Sequence, residues 1–221
     1  MTDLPTITLD TQVFRIISAR FPQIDLYERA ADSAAWHLLH QIESLTNPRL
    51  RDEAGDIRLI PPEDRIFGRG SSWIMAAFAH PPVQGQGGRF NDQFGVFYCA
   101  PDVSVATAES SYHRARFLRE ARITDAALEM RVIRAHFGPE ALHDVRRHED
   151  RRILDSQDYS AAQALGRLLK GDASHGVIYP SVRAEGDCLG VMRAVALSGA
   201  THWRYLTYRF EQGQLQGIES H

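Results

Sequence analysis

The sequence predicts an α/β (α+β) fold in which apolar strands alternate with amphipathic helices. Gln12 to Ile17 and Leu128 to Phe137 have the composition of strands, and Asp25 to Thr46 repeats apolar residues at helical spacing. At 221 residues the chain is long enough to bury roughly 70% of its unfolded surface. No repeat, low-complexity tract or linker divides it, so we expect a single domain over residues 1–221.

Composition restricts the classes of protein that the chain can belong to. Apolar residues make up 43% and charged residues 24%, as in ordinary globular proteins. A net charge of −3 argues against nonspecific nucleic-acid binding, which depends on neutralising phosphates. The sequence has neither a run of about 18 apolar residues nor a secretory signal, and its two cysteines cannot form a disulfide framework. We therefore expect a cytoplasmic protein that contacts neither membrane nor nucleic acid directly.

The first predicted strand carries Arg15 between apolar neighbours. Two interpretations remain open: Arg15 points to water from an edge strand, or the sheet delivers it into a cleft. The helix predicted over Asp25 to Thr46 is expected to end at Pro48. Its apolar face is expected to comprise Leu26, Ala30, Ala34, Leu38, Ile42 and Leu45.

A loop with a short strand and a short helix follow before residue 82. The loop is predicted from Asn47 to Pro62 and the strand within it from Ile57 to Ile60. The helix is predicted from Trp73 to Ala79, with Ser71 or Ser72 as its cap.

The stretch from Gly85 to Glu109 begins with a glycine-rich loop. Gly85, Gly87 and Gly88 permit close backbone approach and unusual φ angles. Arg89 follows them, a forked cation suited to carboxylate or phosphate.

The same stretch continues through a turn, a strand and a helix. Asn91-Asp92 is typical of a turn, and Phe94 to Ala100 is apolar enough for a buried strand. Asp102 is a good N-cap for a helix that runs past Glu109. Arg89, Tyr98 and Glu109 could therefore meet in one pocket.

The helix after Asp102 brings polar side chains onto an otherwise apolar face. Ala106, Glu109 or Ser110, His113 and Phe117 share that face at three- and four-residue spacing. Glu109 is either an ordinary solvated glutamate or an inward carboxylate that is a candidate for catalysis. His113, one turn later, is more typical of a residue that orients the carboxylate.

Several familiar site motifs are missing. Gly68-Arg69-Gly70 is not followed by the Gly-Lys-Ser/Thr of a P-loop, and Phe90 occupies the third-glycine position of a dinucleotide fingerprint. His143 and His148 do not have the spacing of a helical ligand pair, and cysteine pairs are lacking, so we expect no metal site.

The C-terminal third predicts one helix and several strands. Ser160 to Gln163 has the form of a capping box for a helix that ends at Gly171. Ser181 follows a short buried strand, Gly176 to Tyr179, either as a ligand-binding residue or as a turn serine. Further strands are predicted over Leu189 to Leu197, over His202 to Phe210 and after Gly213.

Taken together, these residues resemble the RES-domain proteins, the toxin halves of bacterial RES–Xre toxin–antitoxin pairs. The resemblance, over about Val13 to Leu197, is carried by Gly-Gly-Arg89-Phe-Asn, Tyr98 in its strand, Glu109 eleven residues later, Pro180-Ser181, and Arg15 in the first strand. The sequence departs from the family in having Phe90 where tryptophan is usual. It also lacks the Asn-Pro pair common near the end.

The resemblance implies a mixed-sheet core with flanking helices, similar to ADP-ribosyltransferase toxins, and a cleft that binds NAD. NAD would be a consumed substrate whose nicotinamide–ribose bond is cleaved, with water, phosphate or a protein side chain as acceptor and no metal. An Xre-type antitoxin would be the partner that blocks the active site. The alternative is a noncatalytic nucleotide-binding or interaction module with the same fold.

The resemblance also implies roles for individual residues. Glu109, Arg89 and Ser181 would be catalytic, with Glu109 beside the oxocarbenium-like ribose. Arg15 and Arg89 would hold the phosphates. Tyr98 and Ser181 would contact nicotinamide or ribose, and His113 would support the NAD site without acting as a general acid, because nicotinamide leaves as a neutral ring.

Overall fold

A computed structural model describes residues 4–20, 25–46, 55–80, 82 and 87–221. It confirms the mixed α/β architecture. The strands and α-helices of the described residues are β1 (Thr6–Ser18), α1 (Leu26–Arg29), α2 (Ser33–Thr46), α3 (Ser71–Ala79), β2 (Phe97–Cys99), α4 (Val103–Glu120), β3 (Ala126–Asp144), α5 (Ser160–Gly171), β4 (Gly176–Pro180), β5 (Asp187–Val191), β6 (Leu197–Glu211) and β7 (Gln214–Ser220).

The strands form one mixed sheet built around β3. Its order is β2-β5-β4-β3-β6-β7, and β1 also pairs with β3. Strand β3 is antiparallel to β1 and β6, whereas it is parallel to β4 at His143 and Asp144. At 19 residues, β3 is long enough to pair with all three neighbouring strands.

A second contact of β1 closes part of this sheet into a ring. The Phe14 amide donates to the Ala100 carbonyl at 2.8 Å, and the Ala100 amide donates back at 3.0 Å. Strands β1, β3, β4, β5 and β2 therefore follow one another around a closed circuit. We call this pairing of Phe14 with Ala100 the ring joint. Helix α4 begins just beyond Ala100, so the ring joint and the start of α4 lie together.

Two apolar cores pack against opposite faces of the sheet. Neighbouring residues of a strand point to opposite faces, and accordingly Val13 belongs to one core and Phe14 to the other. The first core contains α3 residues such as Met75, and the second contains residues of α4 and α5 such as Val105 and Leu169. Burying each large apolar side chain stabilises the fold by about 1.5–3 kcal/mol.

The helix predicted over residues 25–46 is interrupted. Ala30 adopts an extended conformation, and the Asp32 carboxylate accepts a hydrogen bond from the Ala35 amide at 2.9 Å, which restarts the chain as α2. The interruption changes the buried face, because Trp36 is only 3% exposed whereas Leu38 and Ile42 are 58% and 54% exposed. Pro48 lies outside the described residues, as do Asn47 and the side chain of Leu45.

The strand predicted over residues 57–60 is also wrong. Residues Ile57–Leu59 form a short 3-10 helix, because the Asp56 carboxylate accepts a hydrogen bond from the Arg58 amide at 2.9 Å. The strand predicted over residues 94–100 is shortened to β2. Gly95 instead lies so close to α3 that an added Cβ would stand 2.3 Å from the Ala77 carbonyl oxygen.

Of the caps predicted for three helices, one is confirmed. Asp102 caps α4 as expected, accepting from the Ser104 amide at 2.7 Å. The N-cap of α3 is Gly70, and the capping box at Ser160 does not form, because Asp158 accepts from the Ser160 amide instead.

The C-terminal strands differ from the prediction in one place. The strand predicted over residues 189–197 ends at Val191, and a 3-10 helix spans Ala194–Ala196 before β6. The final strand, β7, is present. None of the helices in the described parts of the chain combines the length and hydropathy needed to cross a bilayer.

Candidate active site

A cleft of about 360 Å³ opens where β1, β2 and α4 meet. Five of the six site residues predicted from sequence line it, namely Arg15, Arg89, Tyr98, Glu109 and His113. They come from a strand, a turn, a second strand and a helix, and the ring joint brings them together. The sixth, Ser181, contacts Glu109 directly from the loop after β4.

Glu109 is held in a fixed position by Ser181. The Ser181 hydroxyl donates to Glu109 Oε1 at 2.5 Å and accepts hydrogen bonds from the amides of Arg183 at 3.0 Å and Ala184 at 3.2 Å. A serine hydroxyl offers one donor and two acceptor positions, so all three are filled. The arrangement orients one carboxylate oxygen and leaves Oε2 of Glu109 for a ligand.

Tyr98 shapes the turn that carries Arg89. Its hydroxyl donates to Asn91 Oδ1 at 2.7 Å and accepts from the Phe90 amide at 2.8 Å, and burial raises the pKa of Tyr98. Its ring faces Gly88, where an added Cβ would stand 2.5 Å from Tyr98 Cε2. Gly88 is therefore needed for close packing against the protein itself. Gly85 lies outside the described residues.

Arg89 is buried and partly committed to the protein backbone. Only 6% of the residue is exposed, and Nη1 donates to the carbonyls of Ile153 at 3.1 Å and Asp155 at 2.7 Å. The guanidinium also lies over the Tyr159 ring, 4.7 Å from its centroid. Arginine has five N–H groups, so the Nε and Nη2 edge remains for an anion.

Arg15 lies in the cleft, which answers the question left open by the sequence. Its one hydrogen bond to a described residue is a long one, 3.4 Å from Nη1 to the Val96 carbonyl, and its guanidinium lies 4.7 Å from the Phe97 ring centroid. Burial lowers the pKa of Arg15 to about 10, although nearby Cys99 and Tyr98 act in the opposite direction. The side chain remains cationic at neutral pH, and no described carboxylate forms an ion pair with it.

His113 lies at the rim, one turn beyond Glu109. Burial lowers the pKa of His113, whereas the charge of Glu109 raises it, so the ring is mostly neutral at pH 7. Its edge faces Tyr112 at a centroid distance of 5.5 Å. Within the described residues, the hydrogen bond that orients Glu109 comes from Ser181 and not from His113.

Several cleft residues were missed by sequence reasoning. Tyr159, Tyr179 and Arg114 line the cavity, as does Cys188, whose thiol pKa burial raises to about 12. The aromatic position directly before Pro180-Ser181 was the available signal for Tyr179. The described residues contain no group of three or more side chains that could hold a metal.

Arg183 was missed as well, although it stands two residues after Ser181. Its guanidinium carbon lies 3.4 Å from the centroid of the Tyr112 ring, and Nη2 donates to the Ser156 carbonyl at 2.5 Å. Arg183 thereby connects the loop that carries Ser181 to α4 and to residues 153–156, the segment that Arg89 also contacts.

The fold and cleft define a mixed-sheet protein in which a carboxylate held by a serine lines the same cleft as several arginines. The family model of the RES domain matches residues 62–211. The chain therefore belongs to the RES-domain family. The matched span contains every predicted site residue except Arg15, which β1 supplies from outside it.

Two further similarities were found. The uncharacterized protein y4oC of Sinorhizobium fredii is 27% identical over 206 residues, covering 90% of this chain and 84% of that protein. The crystal structure of the M. tuberculosis MbcT–MbcA toxin–antitoxin complex contains a chain with a TM-score of 0.45 and 14% identity, over 90% of this chain and 86% of that one.

Proposed function

We propose that this protein is an enzyme that cleaves the bond between nicotinamide and ribose in NAD. The proposal rests on the 2.5 Å hydrogen bond from Ser181 to Glu109, beside a cleft whose lining includes Arg15 and Arg89. In the proposed complex, this bond would hold the carboxylate beside the ribose carbon on which positive charge develops. The arginines supply the complementary charge for the diphosphate.

The chemistry requires few groups. The electrons of the broken C–N bond leave with nicotinamide, which departs as a neutral ring and needs no general acid. The ribose becomes oxocarbenium-like, and Glu109 Oε2 stabilises that charge electrostatically. An acceptor atom with a lone pair then bonds to the same carbon, and any proton displaced from that atom passes to solvent. The acceptor is water, phosphate or a protein side chain.

We further propose that this activity makes the protein a toxin, neutralised by an Xre-type antitoxin that blocks the cleft. The family resemblance supports this role, and the open cleft is a surface that an antitoxin could cover. Expression of the chain alone should arrest growth, and co-expression with a small helix-turn-helix protein encoded beside it should restore growth. Growth arrest that persists when Glu109 is replaced by Gln would contradict this mode of toxicity.

The acceptor can be identified in one experiment. Purified protein is incubated with NAD labelled in the adenosine half, together with phosphate and a cell lysate, and the products are separated. Free ADP-ribose, phosphorylated ADP-ribose and labelled protein identify water, phosphate and a side chain in turn. Binding of NAD with no release of nicotinamide under any of these conditions would instead indicate a noncatalytic nucleotide-binding module.

A further inference from the structure

Arg114 is a cationic residue of the cleft that the proposed mechanism does not use. It lines the cavity from α4, in company with Phe14 and Ile16 of β1. It lies five residues beyond Glu109, which places the two Cα atoms about 7.5 Å apart along the helix axis. The same cleft therefore contains a third cation on the helix side.

The charge of Arg114 has no compensating group within the described part of the protein. No described residue forms a hydrogen bond or ion pair with its guanidinium, and burial lowers its pKa, although nearby Tyr208 acts in the opposite direction. Arg116, two residues later, contrasts with it, because its Nε bonds Glu120 at 2.7 Å on the exposed side of the helix. A partly buried and unpaired cation destabilises the free protein, so an external anion is the natural compensation.

Arg89 cannot supply the whole anion site. Its Nη1 group is occupied by two backbone carbonyls, whereas Arg15 makes a single, long hydrogen bond to a described residue. A diphosphate carries two charges and is matched by guanidinium groups that approach it from different walls. Arg15 approaches from β1 and Arg114 approaches from α4.

We propose that Arg114 is a substrate-binding residue that holds the diphosphate of the dinucleotide jointly with Arg15. This assignment rests on the proposed function, since it takes a dinucleotide as the ligand of the cleft. Under this assignment, the main role of Arg89 is to connect the turn that carries it to residues 153–155.

A ligand-binding role and a structural role make opposite predictions for stability. In Arg114→Met the aliphatic stem is retained and the unpaired charge is removed. If the charge exists for a ligand, the variant should have the same melting temperature as the wild type or a higher one, while its affinity for diphosphates falls. A structural arginine would lower the melting temperature when replaced.

The test uses the purified full chain, with ADP and adenosine as probes that differ only in the diphosphate. Calorimetry should show that Arg114→Met weakens ADP binding about tenfold to a hundredfold, the loss expected for charge-assisted hydrogen bonds, with little change for adenosine. Arg114→Lys should lose less, because it keeps a point charge but not the fork. The matched control on the same helix, Arg116→Met, should bind ADP as the wild type does.

Wild-type affinity for ADP in Arg114→Met, an equal loss for adenosine, or a wild-type chain that binds no ADP would each overturn the proposal. If Arg114→Met does not fold, Arg114→Lys decides, and undiminished ADP binding by that variant would also overturn it. Nicotinamide release is measured in parallel. A wild-type chain that binds ADP but releases no nicotinamide contradicts the proposed function and leaves the assignment of Arg114 standing.

Discussion

Ser181 reaches Glu109 with the only proton of its hydroxyl, and two backbone amides fill its remaining positions. In this geometry Ser181 acts on Glu109 and has no free group for a ligand. The sequence predicted that these two residues belong to one site. It could not predict which of them contacts the substrate, because that depends on amides at the turn after β4.

This geometry predicts a specific kinetic defect for Ser181→Ala. The carboxylate loses a charge-assisted hydrogen bond, which is worth about 1.5–3 kcal/mol. If it is needed to orient Oε2, kcat for nicotinamide release should fall about tenfold to a hundredfold while KM changes little. Steady-state kinetics on Ser181→Ala and on the exposed control Ser198→Ala would measure this. A raised KM with unchanged kcat would indicate that Ser181 contacts the substrate instead.

For the arginines, too, the sequence could indicate an anion-binding residue but not the protein groups to which that residue bonds. Arg89 was recognisable as an anion-binding residue from its place after the glycines. Its contacts with the carbonyls of Ile153 and Asp155 come from a segment more than sixty positions away, which no local pattern reveals. Arg114 carried no local signal, because it is one of several arginines on α4.

At the scale of elements, α5 holds the turn that carries Arg89. The Gln163 side chain donates to the Gly88 carbonyl at 3.0 Å, and Arg167 bonds Asp92 at 2.5 Å. Between them, Gly166 lies against Phe90 so closely that an added Cβ would stand 1.8 Å from the carbonyl oxygen. The helix and the turn therefore approach each other at a distance that only glycine permits.

Replacing Gly166 should separate these two elements. Gly166→Ala should destabilise the protein by about 1–3 kcal/mol, because the turn must move to relieve the clash. It should also weaken NAD binding, because the turn that carries Arg89 lines the cleft. Gly171→Ala, at the end of the same helix with no atom within 4 Å of the added Cβ, should be neutral or stabilise by up to about 1 kcal/mol. Urea unfolding of both variants tests this, and equal stabilities would refute the close-packing argument.

Two helices and three strands were the elements best predicted from sequence. Helices α4 and α5 and strands β1, β3 and β4 have strong periodicity or strong boundaries. The break at residues 30–32 was missed, although Asp32-Ser33 is an N-cap signature that competes with the longer periodic pattern. The strand predicted at residues 57–60 failed because a single side-chain cap at Asp56 outweighed a four-residue segment with three apolar residues.

At the scale of the whole molecule, β1 is part of both the sheet and the site. Its register runs from Thr6 opposite His143 to Ser18 opposite Met130, and its Phe14 closes the ring at Ala100. Strand β1 nevertheless precedes the matched span of residues 62–211. The closure joins segments far apart in the chain, so a reading of local patterns could not predict it.

A chain reduced to residues 62–221 tests this role of β1. It should fail to fold cooperatively, because β3 would lose its long antiparallel partner and expose an apolar edge. Size-exclusion chromatography and thermal unfolding would show aggregation or a transition without cooperativity. A monomeric, cooperatively folding fragment would contradict this role, and loss of ADP binding by that fragment would then report on the part of the cleft that β1 supplies, which comprises Phe14, Arg15 and Ile16.

Under the proposed function, Glu109, held by Ser181, stabilises the transition state of nicotinamide release. The most direct test compares nicotinamide release by the wild type, Glu109→Gln and the exposed control Glu120→Gln from the same helix, with thermal unfolding to establish that all three fold. We predict that Glu109→Gln loses at least about a hundredfold in rate while Glu120→Gln retains the wild-type rate. Release of nicotinamide by folded Glu109→Gln at the wild-type rate would contradict the claim.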